Sequence, residues 1–192
     1  MNDNTEILAF LRDDGNRFTV AQSASKIAEP GIPEETCASQ IRAFQQRNLI
    51  LPVAKRGSGR TAHNLYGYPE LGIAKVLSLL TSDHSIADNL ILATVATQLI
   101  GWSDHNPSNG CGWRSPIDAA LAGTIKGEYW VFRMDVLRGD QTGDREVRCY
   151  VYDMDKGLPK SSATGEMMPR GSVTLPLLPP FMRLLSDRSG AN

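Results

Sequence analysis

Residues Ser39–Leu71 read SQIRAFQQRNLILPVAKRGSGRTAHNLYGYPEL, and the change of period inside this stretch decides the fold. In its first part and the three residues before it, Thr36-Cys37-Ala38, apolar residues recur at helical spacing. Cys37, Ile41 and Phe44 share one face, which Asn48 extends. Thr36, Ser39, Gln40, Arg42, Ala43, Gln46 and Arg47 take the flanks and the outer side, a hydrogen-bonding set with no acid. From Leu49 to Ala54 the chain turns apolar and partly β-branched. Lys55-Arg56-Gly57-Ser58-Gly59-Arg60 is a basic, glycine-rich tip, and Asn64–Tyr68 is a second extended run. A helix followed by a β-hairpin with a basic tip is expected. Leu71, Val76 and Leu79, with Ile73, Leu77 and Leu80 beside them, then restore the helical period over residues 69–80.

On the N-terminal side, Ile7, Leu8, Phe10 and Leu11 predict a helix over residues 5–13, stopped by Asp14-Gly15-Asn16. Arg17–Val20 reads as a short extended piece and Ala21–Glu29 as a second helix. Pro30-Gly31-Ile32-Pro33 breaks the chain, because proline lacks a donor and restricts the residue before it. The next helix starts at about Pro33, with Glu34 and Glu35 favoured by its dipole. Helix, short strand, helix, turn, helix, hairpin, helix is the order of a winged helix-turn-helix domain. The expected fold class is therefore α+β, with such a domain over residues 1–80.

Phe18-Thr19-Val20, Ile41-Arg42-Ala43-Phe44, Leu49-Ile50-Leu51-Pro52, and Asn64-Leu65-Tyr66 leading into Pro69-Glu70-Leu71 stand in the order found in the MerR superfamily of bacterial transcription regulators, which this stretch resembles. Ala43, Gln45 and Asn64 depart from that pattern, and the helix over residues 5–13 is more typical of MarR-like winged helices. The resemblance implies DNA binding in the service of transcription.

Physical chemistry leads to the same expectation. A recognition helix reads base edges in the major groove while a basic hairpin follows the backbone beside it. Thr36, Ser39 and Gln40 are the candidates for base contact. Arg42, Arg47, Lys55, Arg56 and Arg60 are candidate phosphate ligands, and Thr61, His63 and Asn64 complete the candidate DNA-binding set. Between Gln40 and Thr61 those five cations meet no Asp or Glu, although the whole chain of 192 residues carries a net charge of −1.

Residues 81–192 are expected to form a dimerisation or effector domain, a helix plus a β-hairpin. Ser82 or Asp83 would cap a broad apolar helix over Ile86–Trp102, Asp104–Ser115 would be a loop, and Pro116–Lys126 a short helix. Glu128–Leu137 and Arg145–Asp153 read as a hairpin, residues 155–172 as a long loop, and Val173–Leu178 as a strand before a terminal helix. Tyr129, Trp130, Phe132, Tyr150 and Tyr152 read as sheet core.

No phosphate-loop, dinucleotide or nucleophile motif is present, so no catalytic residue and no cofactor are expected. His84, His105, Cys111 and Cys149 lack metal-ligand spacing, so no metal is expected either. Three scattered cysteines, no apolar run long enough to span a membrane and no signal-like start lead to the expectation of a cytoplasmic, nucleoid-associated protein. The function expected is that of a DNA-binding transcription regulator, a homodimer on double-stranded DNA, with RNA polymerase as a candidate partner. Two alternatives stand beside it: an architectural or recombination-directionality factor that bends DNA, and a winged-helix adaptor for another protein.

Overall fold

The computed structural model describes residues 4–59, 62–104, 106–108, 112–139, 144–158 and 167–186. It is α+β, with helices around one apolar core and two small antiparallel sheets.

Helix α1 (Asn4–Arg12) buries Ile7 and Leu11. Phe18 then makes an isolated antiparallel bridge to Tyr66, and the extended piece expected over Arg17–Val20 goes no further. The reason is local. Thr19 caps α2 (Val20–Ile27) in a reciprocal box: its amide donates to Gln22 Oε1 at 2.9 Å while the Gln22 amide donates to Thr19 Oγ1 at 3.4 Å, so Val20 is already helical. Helix α2 stops at Ile27, short of the expected Glu29, because Pro30 disfavours helical geometry in the residue before it.

Helix α3 (Glu34–Gln46) buries Cys37, Ile41 and Phe44 as their spacing predicts. Pro33 is its N-cap rather than its first residue. Asn48 does not extend the buried face: it is exposed with φ +57°, the left-handed residue that ends the helix. The Leu49 amide reaches back to the Phe44 carbonyl at 2.8 Å and the Asn48 amide to that of Gln45 at 3.0 Å, which closes the helix end. Leu49 and Ile50 are buried in the core outside any strand. Strand β1 (Ala54–Arg56) begins only after Pro52, which has no N–H for a ladder, and pairs with β2 (His63–Leu65) in the register Arg56 opposite His63.

Helix α4 (Tyr68–Ser82) is buried continuously from Tyr68 to Leu80 except for Glu70. It is the central helix of the molecule rather than an amphipathic one. At Gly72 a Cβ would lie 2.9 Å from Ile117 Cγ1, which shows how closely α6 (Pro116–Lys126) crosses it. The expected cap at Ser82 or Asp83 is corrected. Asp83 closes α4, and Asp88 opens α5 (Asn89–Ile100), its Oδ1 accepting from the amides of Leu90 and Ile91.

The larger sheet has the order β4-β3-β5, with β3 Trp130–Gly139, β4 Arg145–Asp153 and β5 Met167–Pro176. Strand β5 starts inside the stretch expected to be loop, and Leu178 belongs to α7 (Leu178–Leu185) rather than to the strand. Proline and glycine hide β5 from a propensity reading, but pairing along β3 supplies its hydrogen bonds. Trp130, Phe132 and Met134 join the core on the helix side, whereas Tyr150, opposite Arg133, lies on the other face. The core runs on from α1 to α7. Arg12 on α1 pairs with fully buried Asp118 on α6 at 2.7 Å, and Arg183 on α7 lies 3.7 Å from Glu29 after α2.

Candidate nucleic-acid interface

The outer side of α3 carries Thr36, Ser39, Arg42 and Gln46, all exposed, with Arg47 exposed at its C-cap. The buried face built on Cys37, Ile41 and Phe44 forces this orientation, since helical residues three and four apart share a side. Ser39 Oγ donates to the Glu35 carbonyl at 3.0 Å, which leaves its oxygen able to accept. Glu35 is one turn before Ser39 on the same side, so the acid-free part of α3 is its C-terminal half.

Beyond α3, Lys55, Arg56 and His63 are exposed on the β1–β2 hairpin, and Gly57 (φ +86°) and Gly59 (φ +65°) turn its tip through backbone geometry that glycine accepts without strain. Arg60 and Thr61 lie outside the described residues. Arg42, Arg47, Lys55 and Arg56 form no ion pair among the described residues, so their charge faces solvent.

Besides Ser39, two of the predicted residues face groups within the protein. Gln40 is tied to α4 at both ends of its amide, Nε2 donating to Ser82 Oγ at 3.0 Å and Oε1 accepting from Ser78 Oγ at 2.7 Å. Asn64, half-buried, faces the Tyr66 hydroxyl, which donates to Gln45 Oε1 at 2.6 Å. Burial raises the Tyr66 pKa and neighbouring Asn64 offsets part of that, so the phenol stays a neutral donor. Through Tyr66 the hairpin is fixed to α3 at one point and to Phe18 at another.

The sequence reading missed what holds this surface. Lys75, 1% exposed, donates to the Ile27 carbonyl at 2.7 Å and pairs with Glu29 at 2.7 Å, so α4 holds the turn between α2 and α3. Lys26 sits over the rings of Phe18 (4.8 Å) and Tyr68 (5.5 Å). A lysine inside an apolar run was the one signal for the first; nothing local marks the second. Below the hairpin, Arg12, Asp13, Arg17 and Glu70 line a cavity of about 160 Å³, and burial raises the Glu70 pKa. Burial likewise raises the Cys37 and Cys149 thiols, which keeps them protonated and unreactive.

Among the described residues no group of His, Cys, Asp or Glu is placed to hold a metal ion, and His105 and Cys111 lie outside them. No helix is long and apolar enough to cross a membrane, again among the described residues. No protein-family model matches the chain, and no curated protein or solved structure does.

Proposed function

We propose that residues 4–82 act as a winged helix-turn-helix and that the protein is a sequence-specific DNA-binding transcription regulator. Helix α3 enters the major groove and the β1–β2 hairpin grips the flanking backbone. Support comes from element order, with Phe18 bridged to Tyr66 as the third strand position beside the hairpin. The observation that carries the reading is the set of cations Arg42, Arg47, Lys55 and Arg56, which form no ion pair among the described residues and are displayed from α3, its cap and β1 next to exposed Thr36 and Ser39.

In this reading Thr36 and Ser39 contact base edges, the four cations contact phosphates, and Gln40 and Asn64 position their elements instead of touching DNA. Lys75 and the Tyr66–Gln45 bond hold the helix and the hairpin in fixed relation, so neither must be ordered when DNA binds. A dimer on a two-fold site adds a second half-site contact. Leu90 and Ile100, the exposed large apolar residues of α5, are the candidates for its seam.

The test is fluorescence anisotropy on duplex DNA between about 50 and 200 mM salt, the range in which phosphate contacts are lost steeply. Wild-type affinity should fall by about 0.9 log unit per log unit of salt for each neutralised phosphate, and Arg42→Ala/Arg56→Ala should lower the slope by about two contacts. Absence of binding at the lowest salt, or a slope the double variant leaves unchanged, would sink the DNA reading and favour the adaptor.

A further inference from the structure

Three strands each bring one arginine to the same end of the larger sheet. Arg138 on β3 stands directly opposite Arg145 on β4. On the other side of β3 the pairing shifts, Val136 facing Gly171 and Leu137 facing Pro169, so Arg170 is the extra residue of a bulge. A bulge breaks the strict alternation of a strand and re-aims the side chain it carries. Arg138, Arg145 and Arg170, together with Val136 and Leu137, line one open pocket of about 540 Å³. That volume lies in the range of small-ligand sites, and no acid lines it among the described residues.

The arrangement works against the sheet that carries it. Like charges directly opposite on antiparallel strands are destabilising. Arg138 has no ion-pair partner among the described residues, and Arg145 reaches Asp88 Oδ2 only at 3.6 Å, with both side chains about half exposed. Glu146, the acid after Arg145, is held by Arg148 through two bonds of 2.5 and 2.9 Å, and Asp144 is exposed at the head of β4. A dianion would resolve the repulsion, and guanidinium forks match the oxygens of a phosphate two at a time.

We propose that this pocket binds a phosphate group, gripped by Arg138, Arg145 and Arg170, with Val136 and Leu137 as the apolar wall beside whatever carries it. The phosphate is that of a small phosphorylated ligand or of a nucleic-acid backbone. The site does not rest on the DNA-binding reading of α3 and β1.

The full chain is titrated with inorganic pyrophosphate at constant ionic strength set with chloride, read by calorimetry and by melting temperature, beside Arg138→Gln/Arg145→Gln. Both residues are exposed, so the variant keeps its fold. The wild type should be stabilised by pyrophosphate beyond the chloride control. The variant should bind on the order of a hundredfold more weakly, about tenfold for each guanidinium removed. Without ligand it should melt no lower than the wild type, since the opposed charges are gone. Arg138→Lys/Arg145→Lys should fall between them, retaining charge without the fork. A duplex-DNA salt series on the Gln variant separates the sources: a slope lower by about two contacts assigns the phosphate to nucleic acid, and an unchanged slope assigns it to a small ligand. Arg42→Ala/Arg56→Ala should keep the full pyrophosphate response, so failure of the DNA reading leaves this one standing. No wild-type response above chloride, or an equal response in the Gln variant, would overturn the proposal.

Discussion

Replacing Lys75 with methionine keeps most of the length of the side chain and removes its charge, which makes it a direct probe of what holds the turn before α3. Lys75 is 1% exposed, and its Nζ lies 2.7 Å from both Glu29 Oε2 and the Ile27 carbonyl. In Lys75→Met the Ile27 carbonyl, at the end of α2, loses its side-chain donor. Glu29 loses its nearer partner but keeps 16% of its surface in solvent and Arg183 at 3.7 Å.

Deleting one member of a buried pair costs about 3–5 kcal/mol, and the residual partner and solvent access of Glu29 put this case at the low end, about 3 kcal/mol. For a chain of this size that lowers the melting temperature by about 6–12 °C. Urea unfolding followed by circular dichroism should show a lower midpoint with an unchanged slope. Lys75→Met/Glu29→Gln should recover about 1–2 kcal/mol, because the half-desolvated carboxylate that lost its nearer partner is then neutral. A single variant within about 0.5 kcal/mol of the wild type, the range of ordinary surface changes, would refute the reasoning.

Gly123→Ala should destabilise the chain by about 1–3 kcal/mol in the same assay, because a Cβ there would meet Trp130 Nε1 at 1.9 Å and the 6%-exposed indole has little room to retreat. Glu70 has its pKa raised by burial, so ionisation weakens the fold and its contribution to stability falls as pH rises through the raised value. Glu70→Gln, which still accepts from the Gly67 amide, should therefore be more stable than the wild type at pH 7–8 and lose that advantage near pH 4, about the ordinary glutamate pKa; a pH-independent difference in melting temperature would contradict this.

Much of the first half was legible because its signals are local. The buried face of α3, the glycines of the hairpin tip and the helix-breaking Pro30-Gly31 each act within a few residues of themselves. Local rules also misled. Asn48 at helical spacing looked buried, yet the same residue is well suited to the left-handed position that ends a helix. Asp83 looked like a cap for the next helix, but Asp88 carries the bonds, and the choice between two acids five residues apart depends on where α5 meets β4. The candidate interface was legible as a composition, four exposed cations from α3, its cap and β1, while the attachment of Gln40 to Ser78 and Ser82 was not.

Periodicity and turn chemistry act between neighbours in the chain, and they sufficed for the α+β class, for α3 and for the exposed basic hairpin after it. The all-round burial of α4, the Lys75–Glu29 pair, the close crossing at Gly72 and the meeting of Arg138, Arg145 and Arg170 belong to the folded chain alone. Each depends on partners brought together from distant parts of the sequence, and a side chain's burial or charge environment is a property of its neighbours in space.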